Sequence, residues 1–311
     1  MNPPVGAEPQ CANAVLMIRP LCFGANPETA ASNRFQQTSA EAGAVSTAQR
    51  EFDGLAQALG DAGIAVHVVD DTPEPPKPDA CFPNNWVSLH ADGTVVLYPM
   101  MAPSRRAERR EEVLAALRAA GFRTARTVDL SGWEAHGEFL EGTGSLVLDR
   151  CHRTAYACRS PRTTSGALAD FAGRLRYRVI AFDATGPGGE PAYHTNVLMA
   201  IGEDFAVICA EAVTDEVERE QLLSELALAG HEPLEISREE MHGFAGNLLA
   251  LRARDGSQVI AMSDGAWKSL APASHRALER HGRIVTAAIP VIERLGGGSV
   301  RCMIAEVFLP H

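Results

Sequence analysis

The chain has 311 residues, 46% of them hydrophobic, enough to bury a large core without disulfide or metal support. A net charge of −11 with no long basic run argues against nucleic acid or anionic membranes as partners, and no stretch approaches the ~18 apolar residues of a membrane span. Seven cysteines without a CxxC pair read as free thiols in a reducing compartment. The N-terminus (Met1-Asn2-Pro3-Pro4) lacks signal-peptide character, so the expected location is cytoplasmic.

In chain order, apolar residues at three- and four-residue spacing predict a helix over 40–59, stopped by Gly63 ahead of a strand over 64–69. Strands over 86–90 and 94–98 flank Ala91-Asp92-Gly93, a hairpin signal. A helix over 104–120 ends at Gly121, before a strand over 122–128. The same order then returns twice. Strands 145–149 and 154–158 precede a helix over 163–175 and a strand over 177–183. Strands 197–201 and 205–209 precede a helix over 214–228 and a strand over 233–236. Finally, strands 248–252 and 258–262 are followed by a helix over 275–295 and, after Gly296, Gly297 and Gly298, a strand over 300–308.

One polar residue precedes or opens the apolar run of each unit. These are Asn85, Glu141, His194, Asn247 and Cys302, spaced 56, 53, 53 and 55 residues apart. Spacing of this kind marks a repeated supersecondary unit, although any α/β chain shows some regularity. The chemistry of the five adds weight: a thiol, an imidazole, a carboxylate and two carboxamides would converge if the units surround one axis. Cys302 follows a glycine run that lets a substrate approach the backbone, and the adjacent Arg301 favours a thiolate if its side chain turns that way. His194 heads an apolar strand and reads as an acid/base group. Glu141 lies in a Gly-rich bend and reads as its orienting carboxylate or as a cation holder, with Glu134 and Glu138 as competitors. No GxxxxGK[ST] or GxGxxG loop is present, and no HExxH or His/Cys spacing suggests zinc, so neither cofactor nor metal is expected.

Six stretches carry a family resemblance: Met17-Ile18-Arg19-Pro20 through Asn33-Arg34-Phe35-Gln36; Pro78-Asp79-Ala80-Cys81-Phe82-Pro83-Asn84-Asn85-Trp86; Leu140-Glu141-Gly142-Thr143-Gly144; Tyr193-His194-Thr195-Asn196; Gly243-Phe244-Ala245-Gly246-Asn247; and Gly296 through Met303. Together they resemble the guanidino-group-modifying (pentein) superfamily, nearest its citrulline-utilisation hydrolase branch. The resemblance implies an α/β propeller of five ββαβ modules with pseudo-fivefold symmetry, formed by residues 1–311 as one domain. Residues 1–37 would be a partly loop-like segment contributing Asn26, Thr29 and Asn33 to a cover. It also implies Cys302 as nucleophile, His194 as acid/base and Glu141 as the motif carboxylate. Arg162, and then Arg105 or Arg106, would hold the substrate α-carboxylate, a bidentate task suited to guanidinium. Asp79, Phe82, Asn85, Asn196 and Asn247 complete the expected substrate-binding set.

Three departures bear on the substrate. Arginine deiminases place carboxylates where this chain has Asn85 and Asn196, and Gly144 stands where they carry the Asp of Glu-Gly-Gly-Asp. A guanidinium wants acceptors and compensating negative charge, whereas a neutral ureido group wants both a donor and an acceptor, which an Asn offers. The expected function is therefore hydrolysis of L-citrulline to ornithine, ammonia and carbon dioxide through an S-carbamoyl enzyme. Arginine deimination, dimethylarginine hydrolysis or amidino transfer is the alternative, and a catalytically silent binding propeller the third. The expected partner is a small amino acid, with homo-oligomerisation open.

Overall fold

The computed structural model describes residues 8–37, 42–186 and 188–311. The first residues of the helix expected over 40–59, and the Met1-Asn2-Pro3-Pro4 terminus, lie outside the described residues. The strands in chain order are β1 (Ala14–Arg19), β2 (Ala65–Asp70), β3 (Val87–Leu89), β4 (Thr94–Leu97), β5 (Arg126–Asp129), β6 (Leu146–Asp149), β7 (Thr154–Cys158), β8 (Arg178–Phe182), β9 (Met199–Ile201), β10 (Phe205–Ile208), β11 (Glu232–Glu235), β12 (Leu249–Arg252), β13 (Gln258–Ser263), β14 (Arg283–Ala287) and β15 (Ala305–Val307).

One pairing rule recurs. Two strands run antiparallel, and a third pairs in parallel with the second. It holds for β3–β4–β5, β6–β7–β8, β9–β10–β11 and β12–β13–β14. It also holds across the two ends of the chain, where β15 is antiparallel to β1 and β2 is parallel to β1. The first and last sets share a six-stranded mixed sheet, β2-β1-β15-β3-β4-β5, and the others form three-stranded sheets. The parallel step in each set needs a crossover. It is supplied by α1 (Ala44–Asp61), α2 (Glu111–Ala119), α3 (Ser165–Leu175), α4 (Glu216–Leu228) and α5 (Pro272–His281).

Burial grades across each set. All residues of β9 and β10 are buried, whereas β5 and β11 are largely exposed or half-exposed. The hairpin strands therefore read as continuous apolar runs, as strands covered on both faces do. Helix α1 packs through Ala48, Phe52, Leu55 and Leu59, one helical stripe in a cluster that also holds Met17, Phe82 and Cys302. Each fully buried Phe or Leu there contributes roughly 1.5–3 kcal/mol. The N-terminal segment is pinned from within. Glu8 meets His90 and Arg150, Gln10 bonds the backbone at Leu148 and Arg150, and Arg150 and Arg301 both reach Glu306.

Several sequence expectations change. The helix expected over 275–295 ends at His281, and Arg283–Ala287 is strand β14. The helix over 104–120 is a turn at Pro103–Arg106 followed by α2. The final strand shrinks to Ala305–Val307, which leaves Cys302 in the turn before it, and the strand over 122–128 begins at Arg126. Strand β1 was not among the expected elements, and it lies inside the segment read as partly loop-like. Among the described residues, no helix is long and apolar enough to cross a membrane.

Candidate active site

Tight turns, rather than strand ends, present the five repeat-position residues. Pro83–Asn85 and Thr195–Val197 are single 3-10 turns, the second capped by His194. Glu141 caps the helical turn Gly142–Ser145. Asn247 follows Phe244 through a backbone bond, and Cys302 closes on Ser299 in the same way. Each turn runs directly into the first strand of its set, so the rigid hairpins fix where these side chains point.

Glu141 and His194 are buried and bonded, Oε2 to Nε2 at 2.8 Å. A carboxylate only accepts, so Nε2 carries the imidazole proton and Nδ1 is left as an open acceptor. Burial opposes the Glu141 charge, but Arg162 and His194 together hold its carboxyl well below the usual range. Burial pushes His194 down to about 4, against the pull of Glu141. The imidazole is thus neutral at pH 7 and able to take a proton.

Cys302 Sγ lies 3.4 Å from Asn247 Nδ2 and 3.5 Å from Asn196 Nδ2, so two amide donors face the sulfur. Asn247 is fixed in turn, donating to the Asn196 carbonyl and accepting from the Arg301 backbone N–H. The Arg301 side chain turns to Glu306 and the Ile304 carbonyl, so the condition under which it would favour a thiolate, a side chain turned toward the sulfur, is not met.

Arg105 clamps Glu108 with two bonds of 2.9 Å and gives Nη1 to Asn85 Oδ1 at 2.7 Å. Arg162 lies over the Tyr193 ring and meets Ser32 and the Thr29 carbonyl, with a long 3.4 Å contact from Nη1 to Glu141. Asp79 accepts from Asn26 and lies 3.8 Å from Arg105. Burial pushes its carboxyl up, against that arginine. Residues 26–36 close the other wall. Asn33 and the Tyr193 hydroxyl both donate to the carbonyl of Gly297. That glycine has φ +64°, and a Cβ there would fall 2.4 Å from Asn33 Nδ2, so both conformation and space demand glycine.

These groups line one cleft. Of the ten site residues expected from sequence, Cys302, His194, Asp79, Phe82, Asn85, Arg105 and Arg162 line it, with Thr29, Asn33, Tyr193 and Gly296 to Gly298. Glu141, Asn196 and Asn247 stand behind that lining and touch it. Arg106 turns instead to the Met100 carbonyl and Glu134, outside the lining. Sequence reasoning missed Glu108 and Ser32, the partners that hold the two arginines. The i,i+3 spacing of Arg105 and Glu108 was the one available signal.

A buried neutral imidazole leaves a mark on stability. Between pH 6.5 and about 4 the unfolded chain takes up a proton on His194 that the folded chain does not, so stability falls as pH falls through that window. His194→Gln is expected to flatten the slope. In urea unfolding at pH 7 and pH 4.5, wild type should lose up to ~3 kcal/mol more than the variant. Parallel profiles would refute the neutral imidazole.

Over residues 19–309 the chain matches the family described as N,N dimethylarginine dimethylhydrolase, eukaryotic. No curated protein matches it. Among solved structures, apo ArgZ, an arginine dihydrolase from the ornithine-ammonia cycle in cyanobacteria, is 16% identical with a TM-score of 0.73. The match covers 96% of this chain and 41% of that one. A mutant of AgrE in complex with L-arginine is 17% identical at a TM-score of 0.73, covering 94% and 40%. A dimethylarginine dimethylaminohydrolase variant carrying an S-methyl-L-thiocitrulline adduct is 14% identical at 0.64, covering 94% and 99%. The chain therefore spans about two-fifths of the full ArgZ and AgrE chains. At these identities the likeness is one of fold, an α/β architecture of mixed sheets.

Proposed function

Because the chain belongs to the eukaryotic N,N dimethylarginine dimethylhydrolase family, within the pentein superfamily of guanidino-modifying enzymes, we propose that it is a cysteine-dependent hydrolase of the ureido group of L-citrulline. Family membership makes it a hydrolase of non-peptide C–N bonds; the ureido substrate is the finer step. We extend the five strand sets in the same way, to one α/β propeller domain around a pseudo-fivefold axis.

The observation that carries the substrate is the state of the carboxylates. Glu108 is clamped by Arg105, Glu141 is shared by His194 and Arg162, and Asp79 is engaged by Asn26 and Arg105. A guanidinium entering here would find one carboxylate in excess of the two arginines, that of Asp79, which burial pushes up toward its neutral form, and would lose its hydration, a large cost. A ureido group carries no charge. Asn196, whose Nδ2 faces the thiol from behind the lining, offers a donor to the sulfur side of the cleft where a ureido oxygen or leaving group needs no negative charge.

The proposed chemistry uses His194 and Cys302, both in the cleft lining, in turn. His194 Nδ1 takes the Cys302 proton as Sγ attacks the ureido carbon, and the imidazolium is stabilised by Glu141. The same proton goes to the departing ornithine amine, leaving an S-carbamoyl thioester on Cys302. Water activated by His194 then releases carbamate, which breaks down to ammonia and carbon dioxide. Arg162, whose Nη1 makes only the long contact to Glu141, has donor capacity left for the substrate α-carboxylate.

Mass spectrometry of products from citrulline, arginine and dimethylarginine, each supplied alone, tests the reading. Ornithine from citrulline and nothing from either guanidine is the expected result. Citrulline or ornithine formed from a guanidine would overturn the ureido assignment.

A further inference from the structure

At the far end of β6 from Glu141, three metal-binding side chains meet. Asp149 ends the strand, His152 lies in the β6–β7 turn, and His231 comes from the turn between α4 and β11. Asp149 Oδ2 is 2.8 Å from His152 Nδ1 and 3.1 Å from His231 Nε2. All three ligand atoms lie within 4.8 Å of one another. We propose that Asp149, His152 and His231 bind a divalent transition cation of the zinc class, which ties the β6–β7–β8 sheet to the β9–β10–β11 sheet.

Charge makes the first argument. The Asp149 side chain is fully buried, yet among the described residues no Lys or Arg pairs with it. Its partners are the imidazoles of His152 and His231. A buried carboxylate is ordinarily paired with a cation or coordinates a metal. A zinc-class ion supplies that charge, and two imidazoles with one carboxylate are a set it prefers.

Geometry makes the second. Oδ1 accepts the His152 backbone N–H at 3.0 Å, which fixes the carboxylate as an outer hydrogen bond fixes a ligand. The rings cross at 88° with centroids 6.1 Å apart, so they approach from different directions. A tetrahedral site with Zn–N and Zn–O near 2.0–2.2 Å has ligand separations of roughly 3.3–3.6 Å, so the two short contacts open by up to about half an ångström and the two imidazole nitrogens, within 4.8 Å, draw together around the ion. The His152 side chain is 32% exposed, which gives an ion an entry path and a water its fourth position. A buried hydroxyl, that of Tyr156 on β7, has no hydrogen-bond partner among the described residues, and burial, reinforced by Asp149, holds its proton on. Sequence spacing gave no hint of this site, because Asp149 and His231 are 82 residues apart.

Cobalt(II) is the probe, because its spectrum separates this site from a thiol. Chelator-treated protein should bind one equivalent, giving visible d–d bands without a thiolate-to-cobalt charge-transfer band, and zinc should displace it. Zinc should also raise Tm by a few degrees. His152→Ala, a change in an exposed turn, should weaken cobalt binding by about 100-fold or more and abolish the Tm shift, with citrulline turnover unchanged. Undiminished cobalt binding in His152→Ala, or no binding at all, would overturn the site. So would a charge-transfer band that vanishes in Cys302→Ala. The binding and Tm results do not depend on which substrate the cleft takes.

Discussion

Cys302→Ala is expected to lower citrulline turnover by about 10⁴-fold or more, to the background of the assay. The sulfur is the one nucleophile in the cleft lining with two amide donors aimed at it and a turn holding it in place. Removing it leaves Arg162, Asp79 and the residue 26–36 wall untouched, so citrulline affinity by calorimetry should stay within a few-fold of wild type. That split separates a lost nucleophile from a collapsed site. Iodoacetamide gives an independent readout. Cys11, Cys81, Cys158 and Cys209 are buried, and burial pushes the Cys158 thiol up to about 12 and that of Cys209 to about 11. Cys22 and Cys151 are half-buried and Cys302 is itself buried, so exposure alone favours those two, and labelling of Cys302 near neutral pH that citrulline blocks is the expected mark of the nucleophile. Residual turnover in the alanine variant would remove the thiol from the mechanism.

How much of this was legible in the sequence differs by element. The hairpins were, because turn signals such as Ala91-Asp92-Gly93 separate apolar runs too short for helices. The five spaced residues were as well. Glu141 bonds His194, Asn247 and Asn196 face Cys302, and Asn85 meets the backbone that carries Glu141. Strand β14 was not, because Ile284 and Val285 also fit the apolar spacing of the helix before them, and the break at Gly282 was passed over. Strand β1 has one buried residue after another, so it shows no period of two to read. What stayed hidden were the second partners. Ser32 on Arg162, Glu306 on Arg301 and His231 on Asp149 are brought together only by the order of the sheets. Arg301 shows the cost of reading neighbours along the chain, since next in sequence to Cys302 is not next to its sulfur.

Gly144→Ala is expected to cost about 100-fold in kcat/KM while the fold survives. A Cβ at this position would lie 2.5 Å from Asn85 Nδ2, 2.7 Å from His194 Nδ1 and 2.8 Å from His194 Cε1. Neither neighbour can yield freely. The imidazole is anchored by Glu141 on its other nitrogen, and Asn85 is held by Arg105 and by Asn84. The added methyl therefore displaces the His194 ring, the proposed acid/base group, and a shift of about 1 Å is enough for a loss of this size. Overpacking costs roughly 1–3 kcal/mol, so Tm should fall by several degrees without loss of cooperative unfolding. Gly54→Ala, in α1 where nothing lies within 4 Å of the new Cβ, is the control and should keep full activity. The same crowding explains why an Asp in the manner of Glu-Gly-Gly-Asp has no room here: Gly144, Asn85 and His194 are one steric choice, and the carboxamide takes the space that an Asp at 144 would fill. Full activity in Gly144→Ala with an unchanged Tm would show that this spacing does not govern catalysis, and the substrate argument from Asn85 would fall with it.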